Sequence, residues 1–428
     1  MAWSGCGPSC NAPWPPRYRY WDLAFALMGT AAFLVDLGAD AWVAASYLKA
    51  GDYHWGGLVL GLLALSSLVT QFFSCAWYWS DPPDLMEALP ARRTLLVLHI
   101  LQLGYLYRCF YVLKVGFRVC RTKADKDIAY AVFLSHDISF LRLFETFLES
   151  APQLVLGLYI ILCTKKAEIF QVLGICTSFL CIAWALLDYH QTLRSFLREK
   201  HKLGRRSSTI YFLWNFLLVC PRILCLALFA VVFPSYVSLH FLAVWSAMFL
   251  WVTLQGTDFM ERTALEWPYR AVVAVILYFC WFNVAEGKTC YRSAIYYTFL
   301  LVDSAILAVS WLWNTVPLNY DSHLAAHALY AALPCYVAGI LLRSVYYKCL
   351  HPTLQAAVPV TGDEMDNGDL AGKDMPAFRQ LVVQGHGDQE AIRGYVNRRA
   401  YGLAQSFFAG TSKVAQHQGN GTLGDSCL

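Results

Sequence analysis

Ten long apolar segments follow one another along the first 350 residues of the chain. Most of them reach or exceed the ~20 residues that an α-helix needs to cross the hydrocarbon of a bilayer. The segments cover 20–48, 55–79, 94–117, 128–163, 169–192, 209–233, 236–254, 269–285, 294–313 and 324–347. This pattern predicts an all-α polytopic membrane protein.

The composition supports this fold class. Hydrophobic residues make up 58% of the 428 residues, and charged residues only 14%. A soluble protein carries roughly a quarter of charged residues, which cover its water-facing surface. The 15 cysteines lie mainly inside apolar segments and form no CxxC pair, so we expect reduced thiols. Acylation stays open for Cys6, Cys10 and Cys349, which lie beside membrane segments.

Lysine and arginine residues predict how the segments are oriented. The positive-inside tendency would place every basic cluster in the cytoplasm, but an odd number of segments separates some neighbouring clusters. We therefore predict about eight transmembrane helices plus two re-entrant helices, at 55–79 and 235–256, with both termini cytoplasmic. Two structurally related repeats are a further hypothesis. The basic clusters lie at 17–19, 118–126, 194–206, 288–292 and 343–348.

The chain divides into three regions. Residues 1–19 form a Pro-rich cytoplasmic N-terminal segment, and 20–351 form the helical transmembrane domain. Residues 352–428 have little apolar density and form a cytoplasmic regulatory tail that we predict to be mostly disordered. Within this tail, 391–409 is predicted as a short amphipathic helix that docks on the membrane domain.

An acidic motif in the tail resembles a cleavage site for effector caspases. It has the form DExD followed by a small polar residue, and flexible exposed segments are where proteolysis concentrates. We predict cleavage after Asp366, which would release whatever the 391–409 helix holds closed. A solvated acidic linker is the alternative. The motif consists of Asp363, Glu364, Met365, Asp366 and Asn367.

Ionisable residues interrupt the apolar segments. In 140–158, Arg142, Glu145 and Glu149 share one helical face because they are spaced at i, i+3 and i+7. A charge at the centre of the hydrocarbon costs at least ~2.5 kcal/mol, so such residues face the protein interior or water. The others that we single out are Asp22, Asp36, Asp40, Arg108, Asp137, Asp188, Arg222 and Asp303.

Two interpretations of these charges stay open. They form buried ion pairs that fix helix packing, or they line a hydrophilic track for a polar solute. Because they are spread along the helices and not gathered at one depth, we favour the track and expect no metal site. The solute would be a small ion or a phospholipid headgroup, whose phosphate suits arginine and whose amine or choline suits the acids. Trp55, Trp184 and Trp214 are candidates to gate the track, although such aromatics more often serve packing or anchor the protein at the interface.

Signatures of enzymes are missing from the sequence. It has no Walker motif, no GxSxG elbow and no HExxH motif, so an ATP-driven pump or a membrane hydrolase has no support. We expect no enzymatic activity and no cofactor.

Seven stretches of the sequence are long and specific enough to identify a family. They are GTAAFLVDLGADAW (29–42), LQLGYLYRC (101–109), FLRLFETFLESAPQL (140–154), GICTSFLCIAWALLDYH (174–190), VFPSYVSLHFL (232–242), LQGTDFM (254–260) and ILYFCWFNVAEG (276–287). The chain resembles the XK-related family of membrane proteins, which includes caspase-activated phospholipid scramblases. The segment before Trp21 and the detail of the DEMD motif depart from the family pattern.

The resemblance implies a fold of eight spanning and two re-entrant helices in the plasma membrane. It implies energy-independent, bidirectional movement of phospholipids, with exposure of phosphatidylserine on apoptotic cells. It also implies a single-span immunoglobulin-type partner, basigin or neuroplastin, and leaves higher-order assembly open. The lipid-pathway roles that it implies fall on Asp22, Asp36, Asp40, Trp55, Arg108, Asp137, Glu145, Asp188 and Arg222.

Two rival functions remain. An ion-coupled secondary transporter or a channel would use the same acids to coordinate a small cation. A non-transporting subunit of a membrane complex would use them only for packing.

Overall fold

The computed structural model describes residues 18, 20–81, 89–122, 125–194, 205–257, 259–260, 263–284, 289–315 and 323–347. Within these ranges every long regular element is an α-helix, which confirms the predicted all-α fold class. The caspase-type motif at 363–367, the predicted helix at 391–409 and the rest of the tail lie outside the described residues. So do Cys6, Cys10 and Cys349.

Twelve helices make up the described part of the chain. They are α1 (Tyr20–Ala50), α2 (Tyr53–Ser80), α3 (Arg92–Ile100), α4 (Gly104–Thr122), α5 (Asp125–Leu148), α6 (Ser150–Thr164), α7 (Ile169–Arg194), α8 (Arg205–Val232), α9 (Pro234–Gln255), α10 (Thr263–Phe279), α11 (Thr289–Thr315) and α12 (His323–Val345).

Seven helical stretches among the described residues are long and apolar enough to cross a membrane. They are α1, α2, α7, α8, α9, α11 and the consecutive pair of α5 and α6. The polytopic character is thereby confirmed. The two segments predicted to be re-entrant form unbroken helices of 28 residues in α2 and 22 residues in α9, so both are long enough to cross. The arrangement of eight crossings and two re-entrant helices stays a prediction.

The apolar segment 94–117 is broken where the sequence pattern showed no break. Between α3 and α4, Gln102 adopts a left-handed backbone conformation with φ 62°. A break inside an apolar region leaves backbone groups that need partners. Gln71 of α2 supplies them, because its amide nitrogen donates to the carbonyl of Gln102 and its amide oxygen accepts from the N–H of Tyr105.

The apolar segment 128–163 is likewise split, into α5 and α6. Pro152 lies in the first turn of α6, where its missing N–H and its ring prevent a regular helix from running through from α5. Glu149 sits at the junction with φ −117° and ψ −73°. The proline therefore determines where the charged row of α5 ends and the polar start of α6 begins.

α5 is the central helix of the described structure. Every residue from His136 to Ser150 is buried, and α2, α4, α6, α7 and α10 all pack against it. Asp137, Arg142 and Glu145 of α5 are therefore enclosed by neighbouring helices. α1 closes one side against α2, α4 and α7, and α8 closes the other against α11 and α12.

Loss of the Phe144 ring at the centre of this core is expected to lower stability strongly. The ring is fully buried and packs on Phe73 and Tyr269 at centroid distances of 5.1 and 6.2 Å. Phe144→Ala should cost about 3 to 5 kcal/mol, which thermal unfolding of the purified protein would measure. Phe110→Ala on the exposed side of α4 is the matched control and should change little. Equal effects of the two variants would contradict this placement of the core.

Candidate functional site

The twelve sequence-predicted site residues fall into three arginine–aspartate pairs, one group of four acids and two separate positions. The first pair joins Arg108 of α4 to Asp137 of α5 at 2.6 Å. Arg108 also donates from Nε and Nη2 to the hydroxyl and the carbonyl of Ser74, and its guanidinium lies 3.7 Å from the centre of the Tyr78 ring. All three nitrogens of this guanidinium are therefore engaged by the protein.

The second pair joins Arg142 of α5 to Asp188 of α7 at 2.5 Å through Nη1. The guanidinium lies against the backbone of Gly29 in α1, so closely that a Cβ atom there would overlap it. Its Nε and Nη2 atoms are buried and have no hydrogen-bond partner among the described residues. Arg142 thus differs from Arg108, because two of its nitrogens remain for another acceptor.

Four carboxyl groups form a group that we call the acid cluster: Asp36, Asp40, Glu145 and Glu149. One of them, Glu145, interacts electrostatically with Arg142. All four are buried, and they lie close enough to interact electrostatically with one another. The start of α6 supplies two partners, since Ser150 donates to Asp36 at 2.7 Å and Gln153 donates to Asp40 at 2.6 Å. The described residues nearby offer one arginine, which is already paired with Asp188, so the acid cluster contains more carboxyl groups than basic partners.

The third pair joins Arg222 of α8 to Asp303 of α11 at 2.5 Å. His240 of α9 holds the other oxygen of this carboxylate at 3.1 Å. The hydroxyl of Tyr278 in α10 lies 2.9 Å from the second ring nitrogen of His240. This group therefore connects α8, α9 and α11 through the carboxylate of Asp303, and α10 through the ring of His240.

Asp22 and Trp55 lie away from these groups. Asp22 is half-buried near the start of α1. Trp55 packs edge-on against Tyr159, in a small apolar cluster with Tyr47 and Val59. The structure thus does not bring Asp22 to the acid cluster.

A small, partly open cavity of about 20 Å³ is lined by residues of α1, α2, α6 and α7, among them Tyr47 and Val59 of the Trp55 cluster. Its walls are mainly apolar, and its polar lining comes from Gln153, Gln171 and Ser178. Gln153 and Ser178 are also the hydrogen-bond donors to Asp40 and Asp36. The cavity therefore borders the acid cluster directly.

Four residues in these groups were not singled out from the sequence: Gly29, Ser74, Gln153 and His240. The periodicity of charged residues finds only groups that are charged in themselves, so neutral donors and a glycine give no such signal. His240 could have been recognised from the sequence, because it is an ionisable residue inside an apolar segment. Among the described residues, no three His, Cys, Asp or Glu side chains gather in an arrangement that would hold a metal ion.

Comparison with known proteins gives consistent matches. The pattern of the XK-related family matches residues 24–352. XK-related protein 8 of Pan troglodytes is 52% identical over 92% of this chain and 96% of its own length. XK-related protein 8 of Tetraodon nigroviridis is 43% identical over 92% of this chain and 97% of its own. XK-related protein 9 of the same fish is 35% identical over 85% and 97%.

A methyl group at position 29 is expected to displace Arg142. Gly29→Ala should destabilise the protein by about 3 kcal/mol or more, because disturbing a buried ion pair leaves charge without its partner. Gly38→Ala is the control on the same helix, since a Cβ there meets nothing within 4 Å and alanine is the better helix former by about 1 kcal/mol. Thermal unfolding should therefore show opposite signs. A neutral Gly29→Ala would contradict the close packing of Arg142.

Proposed function

The chain belongs to the XK-related family, and on this premise we propose that it is an energy-independent phospholipid scramblase that exposes phosphatidylserine at the cell surface in apoptosis. Cleavage of the tail after Asp366 by an effector caspase is proposed to activate it. The protein would act in the plasma membrane, with both termini in the cytoplasm. A single-span immunoglobulin-type protein, basigin or neuroplastin, is the proposed partner.

The observation that carries this proposal is the position of Arg142 beside the acid cluster. Two guanidinium nitrogens without partners suit the phosphate oxygens of a lipid headgroup. The surplus carboxyl groups within reach suit the cationic amine or choline of the same headgroup. A zwitterionic headgroup would therefore find both of its charges matched along α5, in a region where each charge alone is costly to bury.

The surroundings of the acid cluster support a route. The cavity is lined by Gln153 and Ser178, which donate to the acid cluster, and by Tyr47 and Val59 of the apolar cluster that contains Trp55. We propose that a side-chain movement at Trp55 changes how far this cavity opens. Further groups of the same chemistry lie on α8 and α11, where Arg222 meets Asp303. A headgroup could move between such groups while its acyl chains stay in the hydrocarbon.

Such a transfer needs neither a nucleophile nor a cofactor. The barrier to lipid exchange between leaflets is the removal of the polar headgroup from water, and fixed polar groups inside the protein lower that barrier. Movement then follows the gradient in both directions. This is why we propose a non-enzymatic activity for the chain.

The excess of acids supports one other candidate function. Four carboxyl groups around one paired arginine would also attract a small cation, as in an ion-coupled transporter or a channel. The two functions differ in what crosses the membrane. Ion flux in vesicles without any lipid transfer would favour the second one.

A scrambling assay tests the function and its regulation together. The purified full-length protein is reconstituted in vesicles with a fluorescent phospholipid in both leaflets, and a membrane-impermeant quencher is added. We expect quenching of about half of the signal in the intact protein, since one leaflet of two is accessible, and nearly complete quenching after caspase treatment. Asp366→Ala with the same caspase is the control and should behave as the intact protein. Cleavage at Asp366 without any lipid transfer would count against the proposal.

Replacement of Arg142 by lysine should slow the scrambling. Lysine keeps the positive charge but lacks the planar guanidinium, and with it the Nε and Nη2 donors that have no partner among the described residues. We expect a rate about tenfold lower, the effect of one charge-assisted hydrogen bond, measured with the activated protein. Arg118→Lys at an exposed position of α4 is the matched control. A rate that Arg142→Lys leaves unchanged would remove Arg142 from the pathway.

A further inference from the structure

The group around His240 ties α9 to α10 and α11 through one imidazole ring. A carboxylate can only accept, so the ring nitrogen Nε2 donates to Oδ1 of Asp303 at 3.1 Å. The other ring nitrogen, Nδ1, then accepts from the hydroxyl of Tyr278 at 2.9 Å. Both nitrogens of the neutral ring are used, and they determine where Oδ1 of Asp303 points.

The hydrogen bonds of Arg222 are incomplete on one side. Its Nε donates to the backbone carbonyl of Tyr278 at 3.2 Å, and Nη1 donates to Asp303 and to the hydroxyl of Ser304. Nη2 is buried and has no hydrogen-bond partner among the described residues. A buried unpaired donor on a charged group is costly and calls for a physical explanation.

His240 provides that explanation. A guanidinium and a carboxylate commonly pair through two parallel hydrogen bonds, which would engage Nη2 as well. Asp303 instead offers Arg222 only Oδ2, because Oδ1 is held by His240. We infer that His240 is a positioning residue, which keeps the pair on one hydrogen bond and leaves Nη2 of Arg222 for the phosphodiester group of a lipid headgroup.

The exposure of the three side chains supports a ligand at this place. The side chains of His240 and Asp303 are 16% and 15% exposed, whereas that of Arg222 is 1% exposed. His240 and Asp303 therefore form the outer edge of the group, and the guanidinium lies behind them. A phosphodiester that arrives at this edge meets the imidazole and the carboxylate first, and Nη2 of Arg222 is the buried donor behind them that has no partner among the described residues. The inference rests on the proposed function and adds His240 to its pathway.

Substitutions at His240 separate positioning from packing. His240→Phe keeps a ring but loses the donor, so Asp303 is free to take both nitrogens of Arg222. We expect lipid transfer by the caspase-treated protein to fall about tenfold, as for the loss of one charge-assisted hydrogen bond. His240→Gln is the conservative control, since its amide N–H can still donate to Oδ1, and it should restore most of the rate.

Asp303→Asn supplies a second test, which distinguishes a positioning role of His240 from a packing role. An asparagine has one acceptor oxygen, so it cannot form the two parallel hydrogen bonds that a carboxylate forms with a guanidinium. His240→Phe should therefore cause no further loss in a protein that already carries Asp303→Asn. A further loss in this double variant, or equal rates of His240→Phe and the unaltered chain, would overturn the inference. No lipid transfer by the unaltered chain under any condition would instead refute the proposed function.

The phosphodiester can be tested without transport, and its source can be distinguished. A short-chain phosphatidylcholine should raise the unfolding temperature of the unaltered protein more than that of His240→Phe, while inorganic phosphate should act equally on both. Equal stabilisation of both proteins by the phospholipid would contradict the inference, and a selective effect of inorganic phosphate would assign the place to the free anion. In vesicles, the His240→Phe defect should be larger for labelled phosphatidylcholine than for labelled glucosylceramide, which has no phosphate.

Discussion

The cost of removing charged groups from water is the constraint on which this structure depends. The chain places arginines and carboxylates within helices that are otherwise apolar, and each of them has to find a partner inside the protein. The three buried arginines meet this requirement to different degrees. Arg108 is engaged at every nitrogen, whereas Arg142 and Arg222 pair with one aspartate each and keep buried nitrogens without partners. The difference separates an arginine whose nitrogens are all engaged from two arginines that keep buried nitrogens without a hydrogen-bond partner among the described residues.

The same constraint shapes the backbone. Where α3 meets α4, the side chain of Gln71 satisfies the groups that the break leaves unpaired. Where α5 meets α6, Pro152 interrupts the helix, and polar residues at the start of α6 form hydrogen bonds with the acid cluster. Ser150 and Gln153 donate to Asp36 and Asp40. Polar side chains thus form hydrogen bonds at both helix breaks.

The proposed activity needs few parts because it moves its substrate down a gradient. Fixed donors and acceptors, an apolar surrounding for the chains and a way to close the route are sufficient. The acid cluster, the cavity beside it and the Trp55 cluster lie in sequence across α1, α2, α6 and α7. Membership in the XK-related family is independent of this geometry, since it follows from the match over residues 24–352. The two lines of support meet in the same helices.

The sequence by itself determined the fold class and most of the charged residues of the candidate site. Long apolar segments with too few charges to face water predict a helical membrane protein. A charged residue within such a segment can be recognised from the sequence alone. Only the tertiary structure decided which charges meet. The pairing of Arg222 with Asp303 joins residues 81 positions apart, and no periodicity reports on such a distance. Helix packing likewise decides the breaks at Gln102 and Glu149, the space that Gly29 leaves for Arg142, and the hydrogen bond from His240 to Asp303. Neutral donors and a glycine without a side chain acquire a role only from the neighbours that packing places beside them.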